Sequence, residues 1–199
     1  MEFQTVVNRR KMIRSFKDTP IPKEKVDMIV KNAFKGPSAG FSQGVEMLVL
    51  DTPESRELYF EMYGPKEKRK KEDSKWPTLE DAPLIICMLS HKDTYLSRYA
   101  EPDKGWTDKD EKRWPVPFWD IDAGMAGLLV LLTVVDQELG AVFTGVFDQI
   151  YFRRVFGVPD GYNAVGAIYI GYPQKKDEPS PSLKRGHRDL STIVHYNKW

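Results

Sequence analysis

Val26, Ile29, Val30 and Ala33 recur at helical spacing within residues 22–34, and the pattern stops at Gly36-Pro37. That spacing predicts an amphipathic helix that delivers the chain into a loop. Residues 45–50 are apolar and short enough for a strand, Pro53 opens another helix, and residues 84–89 are continuously apolar. Unbroken apolarity predicts a strand covered on both faces. Residues 66–75 are almost wholly charged and read as a solvated helix end or loop. From 90 to 118 the chain is aromatic, charged and irregular, carrying Tyr95, Tyr99, Trp106 and Trp114; a loop this long inside a compact domain tends to be functional. Residues 122–138 form the next strong element, apolar nearly all round, as in a helix of the core or of an interface. Its small residues Ala123, Gly124, Ala126 and Gly127 admit a close neighbour, either backbone or a flat ligand. Two helical glycines cost about 1 kcal/mol each relative to alanine, a loss that packing must offset. A strand over 141–146, a helix capped by Asp148 and ending near 156–157, and a strand over 164–170 follow. Beyond Gly171-Tyr172-Pro173 the chain is polar and proline-rich, then closes with Ile193, Val194, Tyr196 and Trp199, an ending expected to dock rather than fray. Helices alternating with a few strands fit an α/β or α+β sandwich, without internal repeats.

At 199 residues the chain can bury one sizeable core, and no low-complexity linker divides it. Thirty cations against twenty-nine carboxylates leave a formal charge of +1, which argues against a non-specific nucleic-acid binder and makes any basic site local. Cys87, the single cysteine, excludes an intramolecular disulfide and sits in an apolar run as a buried, inert thiol. Charged residues from the first turn onward, and an apolar stretch near 123–135 shorter than a membrane span, lead to the expectation of a soluble, cytoplasmic protein.

Two short stretches carry the candidate chemistry. Arg9-Arg10-Lys11-Met12-Ile13-Arg14-Ser15-Phe16 gathers four cations within six residues, and Pro37-Ser38-Ala39-Gly40-Phe41-Ser42-Gln43 is a loop of small, hydrogen-bonding residues. The first suits a phosphate through forked guanidinium hydrogen bonds, with Arg10 and Arg14 either sharing a helical face or bracketing a helix end. The second exposes backbone to a flat polar ring. Taken alone, one is a solvated helix end and the other a turn. The chain lacks a Gly-x-Gly-x-x-Gly turn, a Walker loop, a Gly-x-Ser-x-Gly elbow and a paired-cysteine zinc pattern. Its three histidines, His91, His187 and His195, are too scattered to suggest a metal centre. An organic redox cofactor explains these absences, because it brings the reactive atom and asks the protein only for binding, orientation and electrostatics.

In their order and company, the Arg-Arg-x-x-x-Arg-Ser-Phe segment, the PSAGxxQ loop before an apolar strand, the buried central helix and the basic tail resemble the FMN-dependent nitroreductase family over nearly the whole chain. The resemblance implies a single FMN-binding domain over 1–199. It would be an α+β three-layer sandwich with a mixed central sheet flanked by helices, in an intertwined homodimer with FMN at the subunit interface. Residues 90–118 would be a lid-like insertion, and 174–199 an extension clasping the partner. Position by position, Arg10, Lys11 and Arg14 match the family's Arg-(Arg/His)-Ser-x-Arg pattern, with Met12 where many members have serine. Pro37, Ser38, Ala39, Gly40 and Gln43 match the segment that reaches the flavin from the partner subunit, and Phe41 either borders the substrate side of the ring or fills the core. Thr144, Gly145 and Val146 fall where backbone N–H groups face the flavin, and glycine there allows close approach. Arg188, or alternatively Arg185, matches the basic segment over the phosphate. Lys68, Lys70 and Lys71 are candidates for the pyrimidine edge, with no basis for choosing among them. Tyr95, Tyr99 and Trp106, with Arg98, form either a lid over the substrate or a rim packed on the partner.

The activity so implied is an NAD(P)H oxidoreductase: NADH or NADPH reduces FMN, and a nitroaromatic, quinone or similar small acceptor takes the electrons in a ping-pong cycle. No protein nucleophile and no metal is needed. Rival expectations are specialised family chemistry, such as flavin fragmentation or dehalogenation, a non-catalytic FMN store or sensor, and a flavin-free scaffold.

Overall fold

The computed structural model describes residues 1–69 and 74–199. Eleven elements alternate along the described chain: α1 (Phe3–Arg9), β1 (Phe16–Lys17), α2 (Lys23–Ala33), β2 (Val45–Leu50), α3 (Pro53–Phe60), β3 (Leu84–His91), α4 (Lys92–Tyr99), α5 (Phe118–Asp136), β4 (Gly140–Thr144), α6 (Gln149–Phe156) and β5 (Tyr162–Pro173). β5 pairs antiparallel with β1, β3 and β4, and β3 pairs antiparallel with β2. The parallel component of the sheet is one bridge, between Met12 and Ala141.

Strand alternation sorts the core into two layers of side chains. Leu84, Ile86 and Met88 of β3, with Ile168 and Ile170 of β5, pack on Ile29 and Ala33 of α2 and on Ala126, Val130 and Val134 of α5. Ile85, Cys87 and Leu89, with Ala167 and Tyr169, face Tyr59 and Phe60 of α3 and Phe152 of α6. The result is the expected three-layer α+β sandwich, and the continuous apolarity of β3 has its reason: helices cover both of its faces. Burial raises the Cys87 thiol far above its ordinary range and leaves it inert.

Local signals act where they were expected. Asp148 accepts the Tyr151 N–H at 2.8 Å to cap α6, and the helix stops at Gly157 in a left-handed conformation. Thr52 and Ser55 form a reciprocal cap at the start of α3. Gly127 explains one helical glycine of α5, since a Cβ there would sit 3.1 Å from the Phe143 ring. Gly124 faces open space on the exposed side of the same helix.

Several expectations need correction. α5 begins at Phe118, earlier than the apolar run suggested, and is long and apolar enough to cross a membrane by length and composition; here it is a core helix packed on α2 and the sheet. The aromatic stretch 90–118 is not irregular throughout, because α4 occupies its first third and a short turn, Glu111–Arg113, a later part. α1 ends at Arg9 and Arg10 is its C-cap, so Arg10 and Arg14 both follow the helix: they neither share a helical face nor bracket the helix end. Residues 181–199 are exposed along their whole length, Trp199 completely, so the ending does not dock on its own chain.

The close approach of β4 to β5 depends on Gly166. A Cβ there would lie 2.3 Å from Phe143 Cε1 and 2.7 Å from the Thr144 carbonyl oxygen. Gly166→Ala is therefore expected to destabilise the fold by about 1–3 kcal/mol, the usual cost of overpacking. A urea unfolding midpoint equal to that of the unsubstituted protein would show that the Phe143 ring and β4 move aside freely.

Candidate functional site

The loop over residues 37–43 joins α2 to β2 and carries three left-handed residues, Gly40 (φ 60°), Phe41 (φ 53°) and Gln43 (φ 59°). A non-glycine residue in that region is uncommon and costs of order 1–3 kcal/mol unless its surroundings impose it. Here they do. Ser38 Oγ accepts the Gln43 N–H at 2.8 Å, the Ser38 carbonyl accepts the Phe41 N–H at 2.8 Å, and the Ser42 hydroxyl donates to the Ala39 carbonyl at 2.6 Å. The Ala39 N–H donates at 2.8 Å to Oδ2 of Asp122 on α5. Phe41 then projects outward, 73 % exposed, which removes the alternative that it fills the core. A cavity of about 280 Å³ opens beside the loop, lined among others by Phe34, Ser38, Phe41, Gln43, Asp122 and Ala126. A larger one, about 550 Å³ and lined in part by Asp18, Val26, Val49 and Arg56, contains none of the candidate cofactor- or substrate-binding residues.

Beneath the loop lies the aromatic insertion. Tyr95 on α4 is fully buried, and its hydroxyl donates to the same Asp122 Oδ2 at 2.8 Å. Burial and then the Asp122 carboxylate raise the phenol above the ordinary tyrosine range, which keeps it a donor. Tyr99 packs on Trp106 and Trp114, with ring centroids 4.9 and 4.4 Å apart, and its ring edge closes against Gly40. Within one chain, then, Tyr95 is a support for the loop and presents no surface to a substrate, while Tyr99 and Trp106 are half-buried members of an aromatic cluster.

The cationic stretch lies against β4. The Ile13 N–H donates to the Ala141 carbonyl at 2.8 Å, and Gly140 leaves room for Ile13 to come this close, since a Cβ there would be 2.9 Å away. Met12 packs against both core clusters, so its side chain serves the interior and offers a ligand no polar group. Arg10, the last link of α1, is half-buried; Lys11 is exposed. The Arg14 guanidinium lies 5.0 Å from the centre of the Trp76 ring and donates to the Met12 carbonyl at 3.4 Å, while its backbone N–H donates to Asp177 at 2.8 Å. Trp76 in turn donates from Nε1 to the Glu178 carbonyl at 3.0 Å, so one indole braces both Arg14 and the start of the tail. Among the described residues Arg10, Lys11 and Arg14 form no ion pair, in contrast to Arg69, Arg98 and Arg113. Three cations without an internal anion, in a chain of almost zero net charge, fit an incoming phosphate.

At the other end of β4, Thr144 donates to the Ala167 carbonyl at 3.3 Å, Gly145 is exposed with only the Phe147 ring nearby, and Val146 is buried so that only its backbone is on offer. Phe147 is 79 % exposed and meets Tyr63 edge-on. Arg185 and Arg188 are exposed on the tail; Arg188 donates to the Thr192 carbonyl, and no contact among the described residues joins either to Arg10 or Arg14. Lys68 is exposed on the turn Lys66–Lys68, while Lys70 and Lys71 lie outside the described residues.

No hydrogen bond, ion pair or ring contact among the described residues joins residues 37–43 to residues 9–16: the loop is tied to Asp122 near the start of α5, and the cationic stretch lies against Ala141 of β4. Sequence reasoning missed Asp122 and Trp76. A carboxylate interrupting an apolar helix was the available signal for the first; nothing local marks the second.

With this geometry in view, relatives are informative. The pattern of the nitroreductase family matches residues 7–172. A protein of Methanothermobacter thermautotrophicus, provisionally named an NADH dehydrogenase/NAD(P)H nitroreductase, is 27% identical over 207 residues, covering 100% of this chain and 88% of its own. A nitroreductase family protein from Clostridium difficile superposes with a TM-score of 0.72 at 22% identity over 100% of both chains. An FMN-dependent nitroreductase from the same species, strain R20291, gives 0.65 at 23% identity over 98% of both.

Gly40 is where loop and insertion touch most closely, with a would-be Cβ 2.4 Å from Tyr99 Cε2 on a left-handed backbone. Gly40→Ala is expected to lower stability by about 1–2 kcal/mol from the backbone alone, with a further loss as Tyr99 is displaced. Thermal and urea unfolding measure it; an unchanged midpoint would mean that the loop readily takes another conformation.

Proposed function

The chain belongs to the nitroreductase family, and on that premise we propose that it is a homodimeric FMN-dependent NAD(P)H oxidoreductase. Its reductant is NADH or NADPH, and its acceptor is a nitroaromatic, quinone or similarly small molecule, served alternately with the reductant in a ping-pong cycle. The observation that carries the cofactor assignment is the set of cations Arg10, Lys11 and Arg14, without an ion pair among the described residues, flanking a bridge from Met12 to β4, the strand after which Gly145 is exposed. When bound, FMN would supply the hydride chemistry.

The protein's own contribution is placement. Arg10, Lys11 and Arg14 would hold the phosphate end by charge-assisted hydrogen bonds, and Trp76, stacked on Arg14, keeps that guanidinium from wandering. The backbone at Gly145 and Val146 would approach the ring edge, where N–H groups stabilise developing negative charge. A second chain would bring its 37–43 loop over these groups, with Phe41 on the substrate side. The lack of any contact among the described residues between loop and cations supports that two-chain site, as do the exposed apolar residues Met125 and Leu128 on the outer face of α5. The exposed tail, with Arg185 and Arg188, would close over the partner and supply further phosphate contacts.

An anaerobic absorbance spectrum of the purified protein tests the reading. A flavin spectrum that bleaches with NADH or NADPH and returns with a quinone is expected. A flavin spectrum that neither nucleotide bleaches would overturn the reductase and favour a flavin store, and a colourless protein that gains no flavin absorbance with added FMN would overturn the cofactor. Arg14→Ala should fold yet lose FMN on dialysis, weakened by about 1.5–3 kcal/mol for one charge-assisted contact; retention equal to that of the unsubstituted protein would remove Arg14 from the site.

A further inference from the structure

We infer that Asp122 is a positioning residue, which fixes the 37–43 loop in its ligand-ready shape through one carboxylate oxygen shared by Ala39 and Tyr95. The inference rests on the reading of that loop as part of the cofactor site, and adds a residue that neither stretch contains.

Five observations converge on it. Asp122 is only 2 % exposed, so its carboxylate cannot rely on bulk water and must be satisfied by protein donors. Both donors it receives, the Ala39 N–H and the Tyr95 O–H, reach the same atom, Oδ2, at 2.8 Å. The loop that it holds contains Phe41 and Gln43 in left-handed conformations, which persist only where contacts from outside impose them. Further outside support comes from the Tyr99 ring against Gly40, and Tyr99 sits on the same helix as Tyr95, whose side chain also meets Ser38. Asp122 also lines the cavity beside Ser38, Phe41 and Gln43. The carboxylate thus acts at one remove from any ligand: it sets where Ser38, Phe41 and Gln43 stand.

Because one oxygen takes both hydrogen bonds, asparagine can replace it with its amide oxygen, whereas alanine cannot. The experiment compares Asp122→Ala, Asp122→Asn and Tyr95→Phe with the unsubstituted full chain, by amide hydrogen exchange over residues 37–43 and by the dissociation constant for FMN. Asp122→Ala is expected to speed exchange in the loop and to weaken FMN about tenfold, the scale of one or two lost hydrogen bonds. Asp122→Asn should restore both to within about threefold, and Tyr95→Phe, which keeps the Ala39 contact, should fall between. A purely electrostatic or bulk structural role would make Asn as damaging as Ala, which would overturn the inference, as would exchange and affinity unchanged in Asp122→Ala. If the alanine variant does not fold, unchanged loop exchange in Tyr95→Phe overturns it instead. An unsubstituted protein that binds no FMN sinks the cofactor reading separately, while the exchange data still decide whether Asp122 holds the loop.

Discussion

Burial of α5 against the antiparallel sheet is the constraint on which the rest of the molecule depends. Its inner face fills the layer between sheet and α2, and its small residues let Phe143 of β4 lie against Gly127. The same helix carries two carboxylates in its first two turns, where the helix dipole favours negative charge. Asp120 accepts hydrogen bonds from Ser90 at 2.6 Å and Asn163 at 3.1 Å, gathering the ends of β3 and β5. Asp122, a step further in, gathers α4 and the 37–43 loop. A helix chosen for apolar burial therefore also fixes polar parts, and the two carboxylates near its N-terminus hold the strand ends and the loop.

That anchoring explains how a strained loop persists. Two left-handed non-glycine residues would cost a few kcal/mol in an isolated peptide, and the loop's own serine contacts close only its internal turns. The external restraints include the Asp122 carboxylate, bonded to buried Tyr95, and the Tyr99 ring, packed in the aromatic cluster. The stretch the sequence offered as a lid or a rim on the partner thus also serves, within this chain, as a base on which the loop rests. Binding loops benefit from such rigidity because a contact already in place loses little entropy when a ligand arrives.

Much of this was legible beforehand, for identifiable reasons. The unbroken apolar run of β3 announced two covered faces, the spacing of Val26, Ile29 and Ala33 announced α2, and Asp148 and Gly157 marked both ends of α6. The two cationic and small-residue stretches were visible as motifs. α4 was not, since its eight residues contain few apolar positions and its order comes from docking Tyr95 in the core, a tertiary contribution that a short segment needs and a local pattern does not display. Met12 looked like a lost hydroxyl until its packing between two clusters became visible. Asp122 was unreadable in its role because its partners lie 83 and 27 positions away in the chain.

The tail completes the physical case for two chains. Residues 181–199 carry Leu183, Leu190, Ile193, Val194, Tyr196 and Trp199, yet all are exposed. Ordering a residue's backbone costs about 1–2 kcal/mol, and a segment whose apolar residues all stay exposed on its own chain has little apolar gain to set against it. Under the two-chain reading the gain is supplied by the partner, whose exposed apolar residues on α5 need covering for the same reason. The lack of any contact among the described residues between the 37–43 loop and the cations fits the same reading from the side of chemistry: the proposed phosphate-binding charge and ring-facing loop would become one site when a second copy turned its loop toward the first. Under that reading tail, helix face and divided site are three consequences of a single arrangement, in which assembling the dimer and assembling the site would be the same event.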